Sequence, residues 1–137
     1  MSQVNMARKR ALIVCVALMF IPLALFPENS RAQIYAEQVA QADFVITVNG
    51  LDIIRSTEIS PPLPIMMSFR HKNPDVKMVR MQHPGNPQFS LTMKVGQEYR
   101  ITNHEDHMKA GHVSTSEFLA LDNQGNVYDK ITISFVP

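Results

Sequence analysis

Three of the chain's five histidines fall within nine residues, in "ITNHEDHMKAGHVSTSEF" (101–118), where His104, His107 and His112 stand beside Glu105, Asp106 and Met108. Imidazole and thioether are donors that suit copper, and thioether favours Cu(I) in particular. A zinc site from the three histidines and a carboxylate is a weaker match, because their spacing fits no closed zinc signature. Adjacent His107 and Met108 can reach one ion only from an irregular loop, since neighbours on a strand point to opposite faces. In a helix, His104 and His107 would share a side instead. Asn103 could then cap the first turn and Gly111 end the last. Loop and helix both remain open at this level, as does a plain solvated loop that binds nothing.

Other chemistry is poorly supported. Ser114, Thr115 and Ser116 lie close to His112 and Glu117, which has the composition of a nucleophile and base. No Gly-x-Ser-x-Gly turn frames a serine and no separate acid is placed to orient the base. A serine-rich β-edge is the simpler expectation. Glycine motifs that cradle phosphate are absent from a chain with only five glycines. His71 and His83 follow strand-like runs and read as turn residues. No enzymatic activity is expected.

These side chains need a scaffold, and the first third of the chain bears on where it works. "MSQVNMARKR" is basic, "ALIVCVALMFIPLALF" (11–26) is apolar throughout, and small residues stand at Ser30 and Ala32. That order predicts a secretory signal peptide over 1–32, cleaved after Ala32. The alternative is an uncleaved anchor, although 16 apolar residues fall short of the about 20 that span a bilayer. Val14 is too large for a lipoprotein motif before Cys15. Removal of 1–32 would leave 105 residues with all five histidines, six of nine methionines and no cysteine. The chain as a whole carries +1, whereas 33–137 holds nine Lys/Arg and eleven Asp/Glu, a net charge of −2. Nothing in that balance points to nucleic acid. A periplasmic or secreted location follows, with membrane contact only through an uncleaved signal segment.

Beyond a leader or short helix at 33–42, the pattern is that of strands. "DFVITV" and "LDIIRS" flank Asn49-Gly50, the strongest short hairpin signal. Pro61, Pro62 and Pro64 confine "STEISPPLPIM" to a loop or an edge. "IMMSFRH" (65–71) and "VKMVRMQH" (76–83) flank the turn "KNPD", and their methionines read mostly as core. "HPGNPQ" (83–88) is a turn. "FSLTMKV" (89–95) alternates without fault, which predicts a half-buried strand with Phe89, Leu91, Met93 and Val95 inward. "EYRIT" puts Tyr99 and Ile101 on one face. "DNQGN" (122–126) is a turn, and "KITISFV" alternates Ile131, Ile133 and Phe135. Short strands separated by frequent turns predict one all-β domain over 43–137, a small antiparallel β-sandwich.

The succession "FSLTMKVG", "QEYRITN", a polar loop and "GHVSTSEF" resembles the first half of cupredoxin-like domains, over about residues 85–121. The resemblance implies a cupredoxin-like sandwich, with an immunoglobulin-like one as the alternative, and gives His112 the position of that family's first copper ligand. The chain departs from the family near its end. "KITISFVP" stands where the Cys, His and Met ligand hairpin would begin, and 33–137 has no thiol, so blue-copper electron transfer is excluded for this chain alone. His83, Met93, His107 and Met108 resemble in order the ligands of periplasmic Cu(I) chaperones, but their spacings differ. The expected activity is binding or delivery of copper through His112, assisted by His107, His104 and Met108, with a periplasmic partner protein. The alternative is a secreted structural or protein-interaction module that binds along an exposed sheet edge.

Overall fold

The computed structural model describes residues 28–137. They divide into two compact units between Gln38 and Val39, each described separately below. The expected signal segment lies outside the described residues except for 28–32. Those five begin helix α1 (Glu28–Gln41), which therefore starts earlier than the expected 33–42. Among the described residues, no helix is long and apolar enough to cross a membrane.

The second unit is a β-sandwich. One sheet has the order β2 (Leu51–Ile53), β1 (Phe44–Val48), β4 (Met66–His71), β7 (Glu98–Arg100). The other has the order β3 (Thr57–Ile59), β9 (Val127–Phe135), β8 (Ser114–Leu121), β5 (Met78–His83), β6 (Asn86–Lys94). Every pairing is antiparallel except β3 with β9, which is parallel. The all-β class expected from the alternation is therefore observed.

Local chemistry explains the elements. Val48 pairs with Leu51 across Asn49-Gly50. Their φ values of 47° and 84° are the left-handed pair that a two-residue hairpin needs. Asn49 also holds the proline segment: its Nδ2 donates to the carbonyls of Pro62 (3.0 Å) and Pro64 (2.9 Å), and Met66 N–H donates to its Oδ1 (2.8 Å). The alternating residues of β9 do enter the core, with Ile131, Ile133 and Phe135 at 4%, 0% and 0% exposure. They meet Ile46, Met67 and Phe69 from the facing sheet.

The runs flanking "KNPD" are strands, as expected; β4 and β5 lie in different sheets, so the turn carries the chain across the sandwich. Ser114–Ser116 pair with β9 on one side, while β5 pairs with β8 only from Glu117 onward, so the serines lie beyond the end of β5. His71 also does more than end a strand. Its Nδ1 accepts the Asn73 N–H at 2.9 Å, so the ring proton sits on Nε2, which donates to Asp129 Oδ2 at 2.6 Å. That bond joins β4 of one sheet to β9 of the other.

Candidate functional site

Residues 102–109 settle the loop-or-helix alternative: they form helix α2 (Thr102–Lys109). The residue before it, Ile101, makes no side-chain cap, and Asn103 Oδ1 accepts only the next N–H, that of His104. The C-terminal end is well specified. Gly111 adopts a φ of 79°, which suits glycine at a helix C-terminus. Its N–H donates to the carbonyl of Met108 (3.0 Å), and the His112 N–H donates to that of His107 (2.9 Å). These two bonds make a Schellman motif, so the defined contribution of His112 is its backbone; its side chain is exposed.

α2 covers one end of the inner face of β8. His104 is 1% exposed and stacks on Phe135 at 4.2 Å between ring centroids. Its Nδ1 lies 2.6 Å from Ser114 Oγ and its Nε2 2.9 Å from Ser116 Oγ. A neutral imidazole has one donor and one acceptor nitrogen, and a hydroxyl can serve either. Burial, followed by the charges of His107 and His83, lowers the His104 pKa from 6.5 to about 4. The protonated form would sit without water against an aromatic ring and two further imidazoles.

The next residue is also buried. Glu105, 2% exposed, accepts from Arg100 Nη2 at 3.0 Å and Nε at 3.1 Å, and from the Ile65 N–H at 3.1 Å. The fork of bonds from Arg100, then the Ile65 N–H, holds its pKa below the ordinary carboxylate value despite burial. The clasp ties α2 to the end of β7 and to the residue just before β4.

Between α2 and the far end of β5 and β6 lies a cleft of about 570 Å³. Met81, Phe89, Leu91 and Ile101 provide its apolar surface, while His83, His104, His107, Ser114 and Ser116 border it with polar groups. Leu91 shares a face with Met93, while Phe89 lies where the β5–β6 register breaks between Ser90 and Asn86, and only Met93 is buried: exposures of Phe89, Leu91 and Met93 are 67%, 51% and 1%. The facing sheet explains this difference. Its outer strand β7 has only three residues and does not extend over the start of β6. The alternation in "FSLTMKV" thus places Leu91 and Met93 on the expected face, but the covering layer stops short of Leu91, and Phe89 falls in the register break.

Of the four expected copper ligands, His104 and His107 line the cleft, whereas Met108 and His112 do not. Met108 belongs to the hydrophobic core, and both nitrogens of His104 face serine hydroxyls. His107 borders the cleft, as its i, i+3 relation to His104 in a helix implies, whereas His112 does not. Among the described residues, no group of three or more His, Cys, Asp or Glu is placed to hold a metal ion. His83, expected as a turn residue, reaches the rim of the same cleft from β5.

The contact distances of His104 with two serines are those of a base and a nucleophile. Its chemistry is not, because a base with a pKa of about 4 takes up a proton poorly near neutral pH. Its second nitrogen also meets a hydroxyl where a triad would have a carboxylate. The arrangement is suited to holding α2 in place. Comparison with known proteins yields no relative: no family model, no curated protein and no solved structure matches the chain.

Proposed function

We propose that the chain is an exported, non-enzymatic β-sandwich that acts as a protein-interaction module and docks an extended segment along β6. One observation carries this reading. β6 has nine residues, pairs among the described residues only with β5, and leaves Phe89 and Leu91 exposed over a cleft. Free sheet edges are usually blunted by charge, proline or extreme shortness. In this edge the proline and the charge stand toward the ends, at Pro87 and Lys94, and Gln88 to Met93 carries neither. An added strand would gain main-chain hydrogen bonds, and alternate side chains would enter the cleft. The basic and apolar leader supports export.

The test is binding of short strand-forming peptides to dilute protein, read by fluorescence anisotropy. We expect micromolar affinity, reduced more than tenfold by Leu91→Lys and unchanged by Leu51→Lys, which alters an exposed position on the β2 edge of the other sheet. Equal loss in both variants, or no binding to the parent protein, would end the proposal.

Copper binding is the second reading, favoured by the three imidazoles of His83, His104 and His107 around one cleft. Copper held by His104, His107, His112 and Met108 would require His104 to leave its serines and Met108 to leave the core. We therefore expect Cu(I) and Cu(II) titrations to give equally weak binding for the parent protein and the His107→Ala/His112→Ala variant. Submicromolar affinity that the variant loses would establish the copper reading instead.

A further inference from the structure

We infer that the cleft beside α2 is a binding site for a small apolar carboxylate, an organic acid with an aliphatic chain or a ring. Such binding needs no strand added to β6.

Size and apolar surface are the first support. At about 570 Å³ the cleft falls within the range of small-molecule sites. Of its apolar side chains, Met81 and Ile101 are buried, whereas Phe89 and Leu91 stay largely exposed. A ligand chain laid against Phe89 and Leu91 would remove from water the apolar surface that the fold itself leaves there.

The polar lining is the second support, and it selects the sign of the head group. Residues 33–137 hold eleven side-chain carboxylates, yet none of them lines the cleft. Two that lie close in sequence to lining residues are turned to other partners. Glu105 accepts from Arg100 and the Ile65 N–H, and Glu117 accepts the Gly85 N–H at 2.8 Å. What the lining offers instead is donors. His83 and His107 both lie near the His104 ring, and neither side chain has a hydrogen-bond partner among the described residues. An imidazole keeps a donor nitrogen in either protonation state. Asn103 retains its Nδ2, because its Oδ1 is the atom that accepts the His104 N–H. Arg100 gives only Nε and Nη2 to Glu105, and its side chain is 57% exposed.

A carboxylate accepts hydrogen bonds and donates none, so it suits a wall of this kind. An ammonium would bring three donors to a lining that has no carboxylate to receive them. Strength is limited by charge. Arg100 is offset by Glu105, so the head group is held by N–H groups and not by a strong positive field. For octanoate a dissociation constant on the order of a few tenths of a millimolar follows.

Heteronuclear NMR titrations at pH 7 with octanoate, octanol and octylammonium test this. We expect octanoate to shift, saturably, the resonances of residues around the cleft. Octanol should bind about tenfold more weakly and octylammonium not at all. The His83→Ala/His107→Ala variant should weaken octanoate about fivefold and leave octanol unchanged. Both histidines are exposed, and the amide spectrum of the variant confirms that the sandwich is intact. Leu91→Asp, which sets a carboxylate in the lining, should abolish octanoate binding. Equal binding of octanoate and octanol, or shifts spread over the rest of the surface, would overturn the carboxylate site. Peptide docking along β6 without octanoate binding overturns it too and leaves the docking edge standing. Octanoate binding by a chain that docks no peptide does the reverse.

Discussion

Acidification from pH 7 to pH 4 is expected to remove about 3 kcal/mol of folding stability through His104 alone, from the fall in its pKa from 6.5 to about 4. The sign follows from proton binding. Below pH 6.5 the unfolded chain takes up a proton at this residue, while the folded chain, with its imidazole between Ser114 and Ser116, does not until about pH 4. The contribution is thus fully present above pH 6.5, declines as pH falls toward about 4, and changes little below that. Repulsion from His107 and His83 acts in the same direction, because both lie near the ring.

His104→Phe separates this effect from acid sensitivity elsewhere in the chain. The phenyl ring keeps a stacking surface for Phe135 but gives the two serine hydroxyls no partner. That omission costs about 2 kcal/mol at neutral pH. Since phenylalanine does not titrate, the variant should lose less stability on acidification than the parent. Urea denaturation at pH 7, 5.5 and 4 should show the parent more stable at pH 7 and the variant more stable at pH 4. Parallel stability curves for the two proteins would show that His104 is not the acid-sensitive group.

How much of this was legible in the sequence depends on how far apart the determining residues lie. Short-range signals were sufficient for the Asn49-Gly50 hairpin, the alternation of β9 and the end of α2 at Gly111. The spacing of His104 and His107 also predicted their shared side once the segment is helical. Longer-range relations were not legible. His104 is buried because Ser114 and Ser116, ten and twelve residues later, face it from a strand, and no local period encodes that. Alternation assigns Phe89, Leu91 and Met93 to one face but cannot state how far the opposite sheet extends. The residues of the proposed edge therefore look like core until the three-residue length of β7 is known. Expecting ligands at His112 and Met108 failed to anticipate their placement for a related reason: proximity in sequence says little about direction when a helix turns one side chain into the core and its terminus turns another to solvent.

Arg100→Ala is expected to destabilise the protein more than the double variant Arg100→Ala/Glu105→Ala. Removing the arginine alone leaves the Glu105 carboxylate, 2% exposed in the parent protein, with the Ile65 N–H as its remaining donor. An uncompensated buried charge is costlier than no charge at all. Removing both leaves an unpaired N–H but no buried anion. The pH dependence gives a second readout. Arg100 is the main reason that the Glu105 pKa is low, so in the parent protein this carboxylate contributes stability above its ordinary range and loses it as pH falls below that range. In Arg100→Ala burial dominates and the pKa rises, so protonation relieves the strain and the deficit relative to the parent shrinks toward acid. Thermal melts at pH 7 and pH 4 should show both the ranking and the narrowing gap. Glu105→Gln, which keeps an acceptor for the Ile65 N–H and places no charge in the site, should fall between the parent and Arg100→Ala at pH 7. If Arg100→Ala is as stable as the parent, the clasp does not hold α2, and the wall of the cleft must be fixed by His104 and Met108 alone.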